Sequence, residues 1–272
     1  MPIRAATADD LTAVSTLLSV RPEYVRADWE LPSFDLAHDA WVAEEAGRVS
    51  GYAAVMAGQR LVHEAEEPGV GDALLVLAAE RARERGFAVI RLTVEAENEL
   101  VRRHPFELES ETLAMWRRLD SPVPEPDWPP GIAVRTFEPA DAKAVHAMLD
   151  EAYRAWDSHY VPLAHEDWLR WMTGDIDFDP TVWWLAERDG EPAGCALHWR
   201  TGWLKDLAVR PSERRRGLGG ALVLHGLAEF AKRGVERVGL KVDAANPTGA
   251  VRLYERLGFV VDRREATWAL SL

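Results

Sequence analysis

The feature that most constrains the fold is an internal repeat, in which one order of strand, helix start and aromatic strand occurs twice along the 272 residues. Residues 3–10 read as an apolar strand followed by an Asp-bearing helix start, and residues 133–142 repeat that order. Trp41 and Trp184 each open a strand that runs through acidic residues into a glycine turn. A repeat of this length is too long for a solenoid. It predicts two related domains packed as an internal pseudo-dimer.

A proline-rich stretch separates the two copies. Residues 121–131 contain five prolines and no apolar period, which is typical of a stiff, extended linker. We therefore expect a first domain over residues 1–121, a linker over 122–131 and a second domain over 132–272.

Composition limits the classes of partner. The net charge of −13 argues against nucleic acid or an anionic membrane as the main partner, and it is compatible with a cationic substrate. The single Cys195 excludes an internal disulfide framework and fits a reducing compartment. Because the start of the chain does not resemble a signal peptide and no apolar run approaches about 18 residues, we expect a soluble, cytoplasmic protein.

A basic, glycine-rich turn lies between a short apolar strand at 204–209 and a helix at 221–232. It reads Arg-Arg-Arg-Gly-Leu-Gly-Gly over residues 214–220. The first N–H groups of a helix have no partner within the helix, and glycine lets a pyrophosphate approach the backbone closely. The pattern predicts an anion site, although a plain helix start with a solvated basic run would look the same.

The spacing of this turn fits neither a dinucleotide fold nor a P-loop. The pattern Arg214-x-x-Gly217-x-Gly219 resembles the coenzyme A loop of the GNAT superfamily of N-acetyltransferases. A second stretch, 246–259, resembles that superfamily's other signature. The resemblance covers about residues 132–272. It implies an α/β (α+β) fold with two tandem GNAT-like domains, each a mixed, mostly antiparallel twisted sheet flanked by helices. It also implies an acyltransferase that moves an acetyl group from acetyl-CoA to the primary amine of a small molecule.

The same resemblance assigns the contacts of the acetyl donor. The strand at 204–209 should splay from the one at 238–242, with pantetheine in the gap. The residues expected to bind acetyl-CoA are Leu207, Ala208, Val209, Arg214, Arg215, Arg216, Gly217, Leu218, Gly219, Gly220 and Asn246.

Two residues are candidates for proton transfer. Tyr254 resembles the tyrosine that protonates the leaving thiolate in the superfamily, although a packing tyrosine would give the same letter. Asp206 is the candidate base or amine anchor, but Lys205 replaces the acidic residue that often precedes it. His198 and His159 stay open as alternative bases. No metal site is expected.

Aromatic residues crowd between the first two strands of the second copy, and such a set suits an amine on an apolar or sugar-like body as well as ordinary core packing. The set is Tyr153, Trp156, Asp157, His159, Tyr160, Trp168 and Trp171. We expect Trp156, Asp157 and Tyr160 to contact the substrate. The assembly is expected to be a monomer or a homodimer.

The first copy keeps the shape of the loop but replaces its arginines with carboxylates. Glu66, Glu67 and Asp72 stand near its glycines, and Val101 occupies the position of Tyr254. Negative charge would repel a diphosphate. We therefore expect a structural first domain that walls off one side of the substrate cleft. A non-catalytic acetyl-CoA sensor or interaction protein remains the alternative for the whole chain.

Overall fold

The computed structural model describes residues 2–94 and 98–272. In the first half of the chain the elements are, in order, β1 (Ile3–Ala5), α1 (Leu11–Leu17), α2 (Pro22–Trp29), α3 (Leu36–Asp39), β2 (Ala40–Glu45), β3 (Arg48–Val55), β4 (Leu61–Ala65), α4 (Pro68–Glu84), β5 (Val89–Val94), α5 (Glu99–Arg103) and β6 (Glu107–Arg118).

The second half repeats this order closely, with two helices in place of three after its first strand. Its elements are β7 (Ile132–Thr136), α6 (Ala142–Arg154), α7 (His165–Gly174), β8 (Trp183–Arg188), β9 (Glu191–Trp199), β10 (Trp203–Val209), α8 (Leu218–Lys232), β11 (Arg237–Asp243), α9 (Ala250–Arg256) and β12 (Val260–Ser271).

The chain forms two compact units that are not continuous in sequence. Unit 1 comprises Met1–Ser110, Val161–Ile176 and Glu265–Leu272, and unit 2 comprises Glu111–Tyr160 and Asp177–Arg264. Helix α7 therefore belongs to unit 1, whereas residues 122–131, which form no helix or strand, belong to unit 2. This division differs from the two continuous segments expected at 1–121 and 132–272.

Each unit takes a strand from the other half of the sequence. In unit 2, residues 112–118 of β6 pair antiparallel with β11. In unit 1, residues 266–271 of β12 pair antiparallel with β5. The ladder in unit 2 also explains a glycine, because a Cβ at Gly239 would lie 2.6 Å from ring atoms of Trp116 on β6. The last strands of the two copies are thus exchanged.

The sheet of unit 2 places the candidate site. Its strands lie in the order β6-β11-β10-β9-β8-β7, and every neighbouring pair is antiparallel except β10 and β11, which are parallel. Helix α8 buries apolar residues at helical spacing, among them Leu218, Leu222 and Phe230. This packing anchors the start of α8 beside the end of β10.

In unit 1, β1, β2, β3 and β4 form an antiparallel sheet in that order. Helix α4 packs on it through buried Leu74, Leu75 and Ala78. None of the helices described over residues 2–94 and 98–272 is long and apolar enough to cross a membrane.

Candidate active site

A cleft of about 610 Å³ opens in unit 2 where β10 and β11 diverge. The two strands pair only at Trp203 with Gly239 and at Leu204 with Leu240. A β-bulge on β10 contributes to the divergence. Leu204 and Asp206 pair with two adjacent residues of β9, so Lys205 is one extra residue on β10. Beyond the bulge, residues 207–209 and 241–243 line opposite walls of the cleft. The splay expected between these strands is therefore present.

The glycine-rich turn closes one end of the cleft. Gly217 has φ +89°, a left-handed conformation that favours glycine, and α8 begins directly after it without a side-chain cap. Leu218, Gly219 and Gly220 form the first turn of α8 and line the cleft. Their N–H groups and the positive end of the helix dipole favour an anion there.

The three arginines of the turn have different surroundings. Arg214 lines the cleft and donates from Nε to the Val209 carbonyl oxygen at 3.0 Å, which ties the turn to the end of β10. Arg215 also lines the cleft. Arg216 is not among the described residues that line it, and its Nη1 lies 3.6 Å from Glu213 Oε2. Two of the three cations therefore border the cleft.

Tyr254 lies in the opposite wall, on α9. It is 6% exposed, and its ring contacts Phe259 edge to face at 5.7 Å. Burial, followed by the nearby Asp206 carboxylate, raises the pKa of Tyr254 well above its ordinary value. Its hydroxyl makes no hydrogen bond with the described residues, and the raised pKa keeps it protonated, so the proton is available to a molecule in the cleft.

Asn246 lines the cleft in the turn before α9. Its Oδ1 accepts a hydrogen bond from the Thr248 backbone N–H at 2.9 Å, which orders the turn. Gly249, with φ +84°, then starts α9. The carboxamide oxygen therefore positions the helix that carries Tyr254.

Asp206 lies behind the cleft wall. It is 8% exposed and does not appear among the described residues that line the cleft. Its Oδ1 accepts a hydrogen bond from the Tyr153 hydroxyl at 2.6 Å, and Lys205 Nζ lies 3.6 Å from Oδ2. Sequence reasoning named Tyr153 only as one of several aromatic residues, because its partner is on a strand 53 positions away.

The aromatic residues divide between the two units. Trp156 lines the cleft, and Tyr160 stacks on Tyr153 with ring centroids 5.4 Å apart. The Asp157 carboxylate accepts a hydrogen bond from the His159 backbone N–H at 2.8 Å and is not part of the described lining. His159 itself is exposed and lies outside that lining as well.

Two members of the aromatic set are not among the described residues that line this cleft. Trp168 and Trp171 are on α7 in unit 1, and Trp171 packs against the core of that unit. The sequence grouped them with Trp156, whereas the structure assigns α7 to unit 1.

His198 is excluded as a base by its surroundings. It is 1% exposed and packs between Trp184 and Phe230, beneath Gly226 of α8. It is not among the described residues that line the cleft. Burial lowers its pKa to about 3, so the imidazole is neutral in the folded protein near neutral pH.

The burial of His198 predicts that the free energy of unfolding decreases in acid. Its folded-state pKa of about 3 lies below the value of about 6.5 in an unfolded chain, so the unfolded state takes up the proton first as the pH falls. The neutral His198 therefore contributes its full share of the free energy of unfolding above about pH 6.5. Between about pH 6.5 and pH 3 this share is lost, by up to about 1.4 kcal/mol per pH unit. We expect the free energy of unfolding of His198→Gln to fall less steeply than that of the wild type between pH 6 and 4, measured by urea unfolding. The exposed His159→Gln is the control, and equal slopes for all three proteins would contradict the assignment.

The corresponding cleft of unit 1 is smaller, at about 210 Å³. His63 of β4 lines it and donates from Nε2 to the Gly71 carbonyl oxygen at 2.9 Å. Glu66 pairs with Arg48, and Asp72 pairs with Arg103 and His104. The carboxylates of Glu66 and Asp72 are thus paired with arginines of the same unit. The His63 ring occupies part of the wall of this smaller cleft.

Comparison with known proteins places this geometry in a family. Residues 142–259 match the Acetyltransferase (GNAT) family. A mycothiol acetyltransferase of Thermobispora bispora is 38% identical over 54% of the chain and 53% of its own length, so the chain spans about half of that relative. A mycothiol acetyltransferase of Acidothermus cellulolyticus is 32% identical over 80% of the chain and 75% of its own length.

Solved structures extend the similarity to nearly the whole chain. A GCN5-related N-acetyltransferase from Sphaerobacter thermophilus has a TM-score of 0.74 and 28% identity, covering 99% of this chain and 95% of its own. A tandem GNAT protein from the clavulanic acid biosynthesis pathway has a TM-score of 0.71 and 16% identity, covering 99% and 98%, which shows the fold alone. With two GNAT-type units, a splayed strand pair and a relative matched over most of its length, the chain belongs to the GNAT acetyltransferase family.

Proposed function

We propose that the chain is an acetyl-CoA-dependent N-acetyltransferase that acts on the primary amine of a small molecule. The observation that carries the proposal is the cleft of unit 2, which has an anion site at the start of α8 and the Tyr254 hydroxyl in its opposite wall. An acetyl donor with a pyrophosphate and a thioester needs these two features in one continuous space.

The residues have distinct roles in binding the donor. The N–H groups of Gly217, Leu218, Gly219 and Gly220 face the pyrophosphate, and Arg214 and Arg215 add positive charge beside it. The backbone of Leu207, Ala208 and Val209 lies where β10 has lost its parallel neighbour. Backbone groups that face such a gap instead of a neighbouring strand suit an extended arm that binds like an additional strand. Arg216 adds positive charge near the pyrophosphate from outside the cleft.

The chemistry needs a proton at sulfur and the removal of one from nitrogen. Acetyl-CoA supplies the activated acyl group. Tyr254 protonates the departing sulfur as the carbon–sulfur bond breaks, and its raised pKa keeps it protonated until then. Asp206 is the carboxylate that gains a proton when the amine loses one.

The acceptor site extends from Trp156 towards Tyr153, Asp157 and Tyr160. An aromatic wall with carboxylates behind it suits an amine carried on an apolar or sugar-like body. The relatives are named mycothiol acetyltransferases, so mycothiol-related amines belong among the candidate acceptors. We propose further that the protein acts in the cytoplasm, as a monomer or a homodimer.

The test is release of coenzyme A thiol with acetyl-CoA and a panel of amines that includes amino sugars, amino acids, aromatic amines and mycothiol-related amines. We expect amine-dependent thiol release with at least one class and an N-acetylated product by mass spectrometry. Calorimetric binding of acetyl-CoA without thiol release for any amine would instead favour a non-catalytic sensor or interaction protein.

The anion site predicts the effect of one substitution. A Cβ at Gly219 would lie 3.6 Å from Val209 Cγ2 and 3.8 Å from Leu253 Cδ2, which are ordinary contacts, so Gly219→Val should fold. Its branched methyl groups would fill the space between β10 and α9 that the donor requires. We expect the Kd for acetyl-CoA, measured by calorimetry, to rise about 10- to 100-fold.

The matched control is Gly69→Val, in the first turn of α4, where a Cβ would meet nothing within 4 Å. That variant should bind acetyl-CoA as the wild type does. An unchanged Kd for folded Gly219→Val would remove the loop from the donor site.

The two copies predict a single donor site per chain. The cleft of unit 1 has about one third of the volume of that in unit 2, at about 210 against 610 Å³. Val101 also provides no proton where the second copy has Tyr254. We expect calorimetric titration to give one acetyl-CoA per chain. Two equivalent sites would contradict the proposal that only unit 2 binds the donor.

A further inference from the structure

A hydrogen-bonded pair of side chains stands in the wall of the cleft opposite Tyr254. Tyr153 lies near the end of α6, and its hydroxyl donates to Asp206 Oδ1 on β10 at 2.6 Å. Asp206 is 8% exposed, whereas Tyr153 lines the cleft. Any acceptor in the cleft therefore meets the phenol oxygen before the carboxylate.

The phenol is held in one orientation. Its ring stacks on Tyr160 at 5.4 Å and contacts Trp156 at 6.3 Å. Because its only O–H proton is donated to Asp206, the oxygen presents its lone pairs to other partners. A hydrogen bond to a carboxylate also makes a phenol oxygen a stronger acceptor. The geometry therefore provides an acceptor for an N–H group at the cleft surface.

Charged and titratable groups surround this pair on every neighbouring element. Lys205 Nζ lies 3.6 Å from Asp206 Oδ2 on β10, and Cys195 is buried on β9 opposite Ala208. Asp150 and Arg154 pair on α6, and Tyr254 of α9 lines the same cleft as Tyr153. Burial, followed by the Asp206 charge, raises the pKa of Tyr153, so the phenol itself stays protonated at rest.

We propose that Tyr153 is a second catalytic tyrosine, which takes the proton of the attacking amine and passes its own proton to Asp206. This inference rests on the proposed function. As the carbon–nitrogen bond forms, an N–H bond breaks and its proton binds to the Tyr153 oxygen, while the Tyr153 proton moves to Asp206 Oδ1. The carbon–sulfur bond then breaks, and Tyr254 gives its proton to sulfur.

The cycle closes without another reactant. Asp206 holds one proton more than at the start and Tyr254 one fewer, and water returns the proton from one to the other. The products are the N-acetylated amine and the free thiol, so atoms and charge balance. Asp206 acts through Tyr153 as a proton store and a positioning residue.

The experiment compares Tyr153→Phe, Asp206→Asn and the double variant with the wild type, using the best amine of the panel. Tyr153→Phe keeps the aromatic ring and Asp206→Asn keeps the shape of the side chain. Thermal melting checks that both variants fold. The readouts are kcat and KM for the amine, the Kd for acetyl-CoA, and the solvent deuterium isotope effect on kcat. Tyr24→Phe is the control, because this hydroxyl lies on α2 in unit 1, outside the cleft.

We expect kcat to fall about 10- to 100-fold in each single variant, with the Kd for acetyl-CoA within a few-fold of the wild type. The double variant should be no slower than the slower single variant, because the two groups act in series. The solvent isotope effect should decrease in Tyr153→Phe, which a purely structural role would leave unchanged.

Full kcat in Tyr153→Phe, or losses that multiply in the double variant, would overturn the relay while leaving the acetyltransferase proposal intact. Failure of the wild type to release thiol with every amine would overturn the proposed function, and this inference with it. The two kinds of failure are therefore distinguishable.

Discussion

Tyr254→Phe is expected to lower turnover about 100-fold while changing the Kd for acetyl-CoA by no more than a few-fold. The substitution removes one oxygen and leaves the ring, which packs edge to face against Phe259. The hydroxyl makes no hydrogen bond with the described residues, so its loss strands no buried donor or acceptor. A selective effect on kcat is therefore the signature of a proton donor rather than of a packing residue.

The matched control is Tyr52→Phe in unit 1. Tyr52 is 2% exposed, and burial raises its pKa as it does for Tyr254, but its hydroxyl accepts a hydrogen bond from Trp29 Nε1 at 2.8 Å. Its removal should lower the free energy of unfolding by about 1 kcal/mol and leave kcat unchanged. Unaltered kcat in Tyr254→Phe at every pH would exclude the tyrosine from the mechanism.

The pH profile gives an independent check of the same residue. Because the pKa of Tyr254 is raised above its ordinary value of about 10, the hydroxyl stays protonated throughout the neutral and mildly alkaline range. Turnover should therefore show no alkaline loss due to this group below about pH 10. A loss between pH 7 and 9 that disappears in Tyr254→Phe would contradict the raised pKa.

The glycine-rich turn at the start of α8 could be predicted from sequence because its information is local. Gly217, Gly219 and Gly220 lie within four positions at a helix start, and the unpaired N–H groups follow from that position alone. The splay of β10 was expected only from the family resemblance. Its physical contributor, the bulge at Lys205, leaves no signal in an alternating strand pattern, because one extra residue changes partners rather than composition.

The contacts of Tyr153 in the cleft wall were less predictable because they join residues that are distant in sequence. Tyr153 and Asp206 are individually ordinary residues, and only the packing of α6 on β10 brings them within 2.6 Å. Trp168 and Trp171 looked like neighbours of Trp156 by proximity in sequence, yet α7 belongs to unit 1. His198 has the alternation of a strand residue but faces α8 rather than the cleft.

The exchange of strands was also invisible to pattern analysis. The strand at 107–118 buries residues 113–115 and therefore needs a partner, but its sequence does not identify that partner, and pairing across a proline-rich linker is non-local. The internal repeat was visible because it depends on element order. The limits of the two units could not be read from the sequence, because the last strand of each copy pairs with a strand of the other copy.

The exchange predicts that the second half of the chain does not fold alone. A fragment of residues 122–272 would lack β6, so β11 would lose its antiparallel partner over residues 112–118. Residues 266–271 of β12 would in turn lack β5. Unpaired strand edges and exposed apolar faces promote aggregation. We expect this fragment to be insoluble or to show no cooperative melting transition.

Co-expression makes this prediction specific. If each unit needs segments from both halves, separate chains of residues 1–121 and 122–272 should co-purify at a ratio of one to one through a tag on either fragment. The associated fragments should regain acetyl-CoA binding at one site, because β6 and β11 are then present together. A control fragment of residues 1–106, which lacks β6, should fail to rescue the second half. A monodisperse, fully active fragment 122–272 would show that the cleft needs no strand from the first copy, since the donor loop and Tyr254 both lie within that fragment.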